Sequence, residues 1–166
     1  DKGSLDANAY QSLSQGSDEG FYLQSSYLPT GLPSTDQHIY SREANDFTTL
    51  SLDFIRLLKH KIRTESGLKM IQRNMSLRSS SEAKDASGNY VSDTISNYNY
   101  KYLESIYSAY GIIGGQLKKF KYQAGIRLEY SIQNPNLISE NKSFKNEYLN
   151  FFPSATIRYE LKKGTE

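Results

Sequence analysis

The sequence predicts an all-β fold, an antiparallel meander of about six to eight strands. The first observation is a set of long stretches in which apolar and polar residues alternate, because the side chains of a strand point to opposite faces with a period of two. The second is that short and long connections follow one another in turn. The third is an aromatic content of 13%, made up of 14 Tyr and 7 Phe without Trp, since tyrosine is favoured in strands and at boundaries between apolar and wet surroundings.

The composition limits the possible functions. The 166 residues suffice for about one domain or a small barrel. Only 37% of the residues are hydrophobic, and no apolar run approaches the roughly 18 residues that a membrane-spanning helix needs. The 20 basic residues are interspersed with 18 acidic ones, for a net charge of +2, so no nucleic-acid partner is expected. The absence of cysteine excludes disulfides, thiolate chemistry and cysteine zinc sites.

The clearest strand is predicted over residues 120–133, "FKYQAGIRLEYSIQ". One of its faces carries Phe120, Tyr122, Ala124, Ile126, Leu128, Tyr130 and Ile132. The other carries Lys121, Gln123, Gly125, Arg127, Glu129, Ser131 and Gln133. Strands in soluble domains usually end after about five or six residues. The length of this alternation therefore needs an explanation beyond a half-exposed soluble sheet.

Two hairpins are predicted around short polar breaks. Residues 48–57 are expected to pair with 62–72 through "KHK", and residues 98–112 with 120–132 through a break near "GGQLKK". The last strand is expected along "LNFFPSATIRYEL", in which Pro153 marks an edge, a bulge or a strand end.

An amphipathic helix is the alternative for "LSLDFIRLLKHKI", residues 50–62. Leu50, Phe54, Leu57, Leu58 and Ile62 also have helical spacing there. We favour the strand because the preceding "FTT" is rich in strand formers and the segment that follows alternates cleanly.

The predicted organisation has two parts. Residues 1–46 are expected to form an N-terminal region with one or two weak strands and a loop, the better candidate being 20–28 and the weaker 37–42. Residues 47–166 are expected to carry the main strands, with long polar loops at 74–97 and 134–147. These loops should lie at the same end of the sheet, because an even number of strands separates them.

Two lengths of connection are typical of a transmembrane β-barrel, which has short turns at one end and long loops at the other. A strand crossing a bilayer needs about 9 to 11 residues, with lipid on one face and water on the other. The pattern therefore favours a transmembrane β-barrel. Besides a section of a larger barrel, two alternatives stay open: a complete small eight-stranded membrane barrel, and a soluble antiparallel β-domain that binds a ligand or glycan through tyrosines.

Several segments carry a resemblance to a known family. "YLESIYSAYG", "FKYQAGIRLEYS" and "YLNFFPSATIRYEL" occur in that order, and together they resemble the run of strands in the barrels of Bacteroidetes-type TonB-dependent receptors. "FIRLLKHKIRTESGLK" is similar to the hairpin just upstream, so the resemblance covers roughly residues 45–161. It implies an outer-membrane receptor and transporter of a Gram-negative bacterium, with a barrel of about 22 strands, that imports a bulky nutrient such as a metal chelate or glycan.

The resemblance also implies partners. These are outer-membrane lipid, a nutrient ligand, and a TonB-type energy-coupling protein that acts through a plug domain. The sequence has no plug-like segment and no signal peptide, and it ends in "KKGTE" rather than in a terminal aromatic residue. We therefore expect a piece of a larger receptor. With its apolar stripe bare, the isolated chain is expected to need detergent or to hide this stripe against another sheet, either its own or, by self-association, that of a second copy.

No catalytic, cofactor-binding or metal residue is predicted, and no enzyme is expected. His38 and His60 are far apart and have no ligand-spaced carboxylate or second histidine beside them. His60 is expected to be a turn residue.

Charged residues on the predicted strands are expected to serve the wall of the barrel. Glu104 interrupts a stripe that consists of Tyr98, Tyr100, Tyr102, Ile106 and Tyr110. It is expected to be a buried acid, to lie near a strand end, or to pair with a neighbour such as Lys101. A last group should face the lumen and form cross-strand pairs: Arg127, Glu129, Arg158 and Glu160.

Overall fold

The structure, a computed structural model, describes residues 2–24, 35–93 and 97–161. These ranges consist almost entirely of strands. Their bounds are β1 Lys2–Gln24, β2 Thr35–Leu57, β3 Arg63–Lys84, β4 Tyr90–Ser92, β5 Tyr98–Leu117, β6 Phe120–Leu137, β7 Lys142–Ser143 and β8 Asn146–Tyr159. Short 3-10 turns span Lys59–Lys61 and Ile138–Glu140. In these ranges no helix is long and apolar enough to cross a membrane.

The strands form one eight-stranded sheet, and each long strand is antiparallel to the next: β1, β2, β3, β5, β6 and β8. The short β4 pairs with the end of β3, and β7 pairs with the end of β6. Both predicted hairpins are confirmed, with Asp53 opposite Gly67 and Ala109 opposite Leu128. The antiparallel meander and the expected number of strands are confirmed as well.

The sheet is a single layer. No hydrophobic side chain in the described ranges is buried, and the buried residues there are Ser79, Ser81, Glu104 and Ser131. A soluble sheet buries one of its faces against another layer. A closed eight-stranded barrel would pair its first strand with its last, whereas no ladder joins β1 to β8 among the described residues. The architecture therefore matches a section of wall better than either alternative.

Tight turns close one end of the sheet, which we call the short-turn end. The Leu58 amide donates to the Ile62 carbonyl at 2.8 Å across the first turn. The second has only two residues between Leu117 and Phe120, which are partners in the ladder. Lys61 and Lys118 occupy the left-handed region, with φ of 61° and 52°, which reverses the chain in few residues. The first short turn is as predicted, whereas the second, expected over residues 114–119, is shorter because β5 continues to Leu117.

The opposite end, the long-loop end, carries the longer connections. The β3–β4 turn closes where the Asp85 amide donates to the Asn89 carbonyl at 2.9 Å, and the Asp85 carboxylate accepts from the amides of Ser87 and Asn89. Gly88 has a φ of 84° in this turn. The β6–β8 connection lies at the same end, as predicted.

The long loops themselves are shorter than predicted. Residues 74–97 were expected to form a loop, but β3 continues to Lys84 and β4 follows at Tyr90–Ser92. Residues 134–147 were expected to form a second, but β6 continues to Leu137 and β8 begins at Asn146. The strands persist even where apolar alternation ends, as over residues 79–84, because the ladder needs only backbone partners, which the neighbouring strands supply.

The N-terminal region contains strands as long as any in the molecule. The weak strands expected within residues 1–46 are β1 and the first half of β2, each strand being 23 residues long. The weaker candidate, 37–42, lies wholly inside β2, whereas 25–28 of the better candidate lie outside the described residues. The helical alternative for 50–62 is wrong, because β2 runs to Leu57 with its backbone paired on both sides.

Candidate ligand-facing surface

The ladder register assigns every side chain to one of two faces, because residues opposite each other in neighbouring strands share a face. One face carries a continuous apolar band across all six long strands, built around the rows Leu5–Phe54–Ser66–Gly111–Ile126–Pro153, Ala7–Leu52–Leu68–Ala109–Leu128–Phe151 and Ala9–Leu50–Met70–Tyr107–Tyr130–Leu149. Its side chains are exposed, Leu68 by 59% and Ile157 by 76%. The stripe predicted on β6 is therefore part of a much wider apolar surface.

The other face, the polar face, carries the charged residues of the same strands. The tyrosine stripe of β5 lies on this face, since Tyr110 is opposite Gly67 of β3 and Arg127 of β6. Its phenols meet carboxylates: Tyr102 donates to Glu104 at 3.1 Å, and Tyr110 donates to Asp53 at 2.6 Å. Two tyrosines of the stripe thus donate hydrogen bonds, and the stripe belongs to the face opposite the apolar band.

Glu104 is the centre of the largest polar cluster. One carboxylate oxygen accepts from Arg73 Nη1 at 2.9 Å, and the other accepts from Tyr102 at 3.1 Å and from Gln133 at 3.0 Å. The Glu104 side chain is only 8% exposed, against 47% for Arg73. The expected buried acid is confirmed. The alternative pairing with Lys101 is wrong, because consecutive odd and even positions of a strand face opposite sides.

Gly67 creates a close approach between two strands. A Cβ atom there would lie 2.5 Å from Tyr110 Cε1 and 2.6 Å from the Asp53 carboxylate. The missing side chain lets the tyrosine ring lie over β3 and reach Asp53 on β2. The sequence analysis missed this contact, although an isolated glycine inside a strand often marks a close approach.

Arg127 lies beside a concavity on the polar face. Its guanidinium is 4.9 Å above the Phe152 ring, and its Nε is 3.1 Å from Glu129 of the same strand. The expected cross-strand ion pair is wrong for Arg127, because Tyr110 and Phe152 are its partners in the ladder. The adjoining cavity of about 490 Å³ is lined in part by Glu65, Tyr110, Ile112, Arg127, Phe152 and Ser154.

At the neighbouring strand end, the expected charge pairing does cross between strands. Glu160 forms an ion pair with Lys121 of β6. Lys121 was not among the charged residues that were predicted to pair across strands. Arg158 is opposite Lys121 in the ladder and shares the polar face.

The long-loop end carries a second polar cluster, beyond the apolar band. Asp36 accepts from Lys84 at 2.6 Å and from Tyr90 at 3.0 Å. The hydrogen bond from Lys84, followed by that from Tyr90, lowers the pKa of Asp36, and the same bond raises the pKa of Lys84. These groups tie β2, β3 and β4 together at the tip of the sheet.

The two histidines are at opposite ends of the sheet. His38 Nε2 is 2.7 Å from Glu19, and its ring stacks on Phe21 with centroids 4.4 Å apart. His60 lies in the 3-10 turn at the short-turn end, as expected. Across residues 2–24, 35–93 and 97–161, no three His, Cys, Asp or Glu side chains gather into a group that could hold a metal ion.

Comparison with known proteins identifies relatives of this fold. Among solved structures, the unliganded ferric citrate transporter FecA is similar to 95% of this chain, with a TM-score of 0.61 and 12% identity. The copper transporter OprC matches 96% of the chain at 14% identity, with a TM-score of 0.29 that supports no argument. The chain spans 23% of the FecA chain and 29% of the OprC chain. No curated protein matches.

The family comparison covers the whole sequence. Residues 1–166 match the outer membrane protein beta-barrel family. This match confirms the resemblance to outer-membrane β-barrels found in the strand segments, and the likeness to FecA supports the same fold. The chain therefore belongs to the outer membrane protein beta-barrel family, and its place is the outer membrane of a Gram-negative bacterium.

Proposed function

We propose that the chain forms part of the wall of a TonB-dependent-receptor-like transporter that imports a bulky nutrient, such as a metal chelate or a glycan. The observation that carries the proposal is the difference between the two faces, an exposed apolar band across six long strands and a hydrogen-bonded polar face behind it. Lipid satisfies the first face and a water-filled lumen satisfies the second.

The proposed orientation places the short-turn end in the periplasm and the long-loop end outside the cell, as in other outer-membrane barrels. β1 and β2 have 23 residues each, roughly twice the 9 to 11 that a tilted strand needs to cross the bilayer. Their outer halves would then stand above the membrane. A raised wall of this kind suits the capture of a ligand too large to diffuse through a narrow pore.

The residues of the wall act passively in this mechanism. The Glu104 cluster satisfies its own charges, so it holds neighbouring strands in register rather than transferring protons. Tyr110, Arg127 and Phe152 line the concavity and offer a phenol, a guanidinium and an aromatic face to a passing ligand. Energy coupling would come from a TonB-type protein acting through a plug domain, outside these strands.

Uptake assays on the complete protein test the proposal. A strain that lacks the gene is grown with single metal chelates or glycans as the limiting nutrient, and growth is compared with that of the complemented strain in the presence and absence of its energy-coupling protein. We expect one nutrient to require both genes. Uptake that needs the barrel but not the coupling protein would favour a passive pore, and unchanged uptake of every nutrient would contradict transport.

Single cysteine substitutions test separately which face of the wall contacts lipid and which contacts water, since the natural sequence has no cysteine in this region. Ala109→Cys and Ser108→Cys are adjacent positions on opposite faces of β5. In intact outer membranes, a water-soluble maleimide should label Ser108→Cys and leave Ala109→Cys unmodified. Equal labelling would contradict the lipid contact of the apolar band.

A further inference from the structure

We propose that the short-turn end of the sheet binds anionic phospholipid of the inner leaflet, through lysines of the two tight turns and the aromatic side chains beside them. The inference rests on the membrane orientation proposed above, which places this end at the periplasmic surface. It concerns the turns and the face that carries the apolar band, here called the band side, and the transported nutrient takes no part in it.

The short-turn end is strongly basic. It is formed in part by three segments, 56–65, 116–123 and 156–160. They contain eight basic residues and two glutamates, which gives a net charge of +6, whereas the whole chain carries +2. The basic residues are Arg56, Lys59, Lys61, Arg63, Lys118, Lys119, Lys121 and Arg158. A local excess of positive charge of this size attracts anions to the end of the sheet.

The lysines of the turns have no carboxylate partner. Both glutamates of these segments are already engaged by other cations. Glu65 lies 2.9 Å from Arg63, and Glu160 pairs with Lys121. In the part of the chain that the structure describes, four lysines form no ion pair: Lys59, Lys61, Lys118 and Lys119. Their charges are therefore available to an anion from outside the chain.

Two of these lysines occupy a backbone conformation that favours other residue types. Lys61 and Lys118 have φ of 61° and 52°, in the left-handed region, which glycine adopts without a steric penalty. Each turn thus carries a lysine at a position where the backbone alone favours glycine. Local backbone strain at a surface position points to a role for the side chain, and both of these side chains are cations at the same end of the sheet.

Aromatic side chains beside the turns mark the level of the membrane surface. Phe120 and Tyr159 are partners in the ladder, with ring centroids 4.9 Å apart. Tyr122 lies on the same face, two residues further along β6, and all three side chains are exposed. Lys119 Nζ lies 5.9 Å from the centroid of the Tyr159 ring. Aromatic girdles border the apolar surface of a membrane barrel at both interfaces, so these lysines lie next to the lipid headgroups.

The spacing along β6 gives the same level. Phe120 is eight residues from Leu128, in the central row of the apolar band, which corresponds to about 27 Å along the strand. A strand tilt of about 40° reduces this length to a depth of about 20 Å. Half of the hydrocarbon core is about 15 Å thick, and the headgroups extend to about 22 Å from the midplane. The turn just before Phe120 therefore reaches the phosphates of the inner leaflet.

An acidic polypeptide of the periplasm is the alternative anion for this end. The structure favours lipid, because Lys119 lies over a ring on the band side and because the tight turns do not project far beyond the headgroups. A lysine ammonium binds phosphate as a compact point charge. Each lysine near an anionic membrane surface strengthens attachment roughly fivefold, so several turn lysines together select anionic over zwitterionic phospholipid.

Native mass spectrometry of the complete protein, extracted in mild detergent, tests the site with phosphatidylglycerol and with phosphatidylcholine of the same acyl chains. The natural protein should retain phosphatidylglycerol at least about tenfold more strongly. Lys118→Gln with Lys119→Gln should remove most of this preference. Lys142→Gln with Lys145→Gln is the matched control at the long-loop end, where both lysines are paired with glutamates, and should keep it. Equal retention of the two lipids by the natural protein, or equal loss in the control, would overturn the proposal.

A second variant separates the side chain from the backbone of the turn. Lys118→Gly removes the ammonium group and relieves the left-handed backbone. It should therefore raise the urea midpoint of unfolding in phosphatidylcholine vesicles and, at the same time, weaken retention of phosphatidylglycerol by about threefold to fivefold. A variant that is more stable and yet binds less cannot owe its loss to misfolding. Full retention of phosphatidylglycerol by Lys118→Gly would contradict the role of the strained lysine.

Competition and uptake complete the test. A soluble glutamate-rich peptide at physiological salt should bind the natural protein at least about tenfold more weakly than phosphatidylglycerol does. Equal binding would assign the end to an acidic polypeptide and overturn the proposal. Nutrient uptake should be unchanged in Lys118→Gln with Lys119→Gln. A natural protein that transports nothing but prefers phosphatidylglycerol would refute the proposed function alone, and one that transports without this preference would refute this inference alone.

Discussion

The two halves of β3 follow the same backbone ladder but have different side chains. Near the short-turn end, Leu68 and Met70 alternate with the charged Lys69, so one face is apolar and the other polar. Toward the long-loop end, Asn74 and Ser76 replace the apolar residues of the band side, whereas Met75 and Leu77 lie on the opposite face. The pairing with β2 and β5 continues without interruption across this change. Backbone hydrogen bonding thus keeps the strand continuous. Whether lipid or water lies beside the band side determines which side chains occur there.

The largest expected effect comes from placing a charge in the apolar band, to which Leu68 and Met70 of β3 belong. Leu128→Arg, in the central row of the apolar band, should lower the free energy of unfolding by about 2 to 4 kcal/mol, because an arginine is poorly solvated at the bilayer midplane. Gln15→Arg, on the same side of the sheet but beyond the band, should cost about 0 to 1 kcal/mol. Urea unfolding of the complete protein in lipid vesicles measures both. Similar losses of unfolding free energy at the two positions would contradict the distinction between the apolar band and the part of the sheet beyond it.

A second prediction compares a shielded ion pair with an exposed one on the same strand. Arg73→Met should cost about 1 to 3 kcal/mol, because it leaves the buried Glu104 carboxylate without its cation. Arg63→Met removes a contact of the same 2.9 Å length to Glu65, which is 27% exposed, and should cost about 0 to 1 kcal/mol. Combining Arg73→Met with Glu104→Gln in a double-mutant cycle should show coupling in urea unfolding. Additive effects would mean that the pair contributes nothing as a unit.

A third prediction concerns the close approach on the polar face. Gly67→Ala should destabilise the protein by about 1 to 3 kcal/mol, since the new methyl group displaces Tyr110 from Asp53. Gly111→Ala, on the band side, meets no atom within 4 Å and should change stability by no more than about 0.5 kcal/mol. The same unfolding assay compares the two, and a Gly111→Ala effect as large as that of Gly67→Ala would contradict the assigned faces.

The smallest effect is expected at the tip of the long-loop end. Because the folded-state pKa of Asp36 is lowered by Lys84 and Tyr90, this contact contributes stability above the ordinary pKa of 3.8. That contribution is lost as the pH falls through the lower folded-state pKa. Amide hydrogen exchange in residues 84–90, corrected for intrinsic rates, should therefore become faster at low pH. Lys84→Met should remove most of this extra dependence, and salt should weaken it.

Some of the structure was predictable because alternation in a sequence records the environment of each face. The stripe from Phe120 to Ile132 identified the lipid-facing side of β6, and the break at residues 59–61 identified a tight turn. The outer part of β3 was not predictable in the same way. Asn74, Ser76 and Arg78 still alternate there with Met75 and Leu77, but residues 79–84 are almost all polar, so they show no apolar period from which the rest of the strand could be recognised.

The candidate site shows the same division. The sequence by itself determined that Glu104 is an acid within a tyrosine stripe, that Arg127 and Glu129 share the polar side of β6, and that the chain belongs beside lipid. Only the tertiary structure decided which side of the sheet that stripe occupies, because its face depends on the register between β5 and β6. The register likewise places Arg73 beside Glu104 and lets Tyr110 reach Asp53 across Gly67. A side chain's face is encoded along one strand, whereas its partners are set by the strands that pair with it.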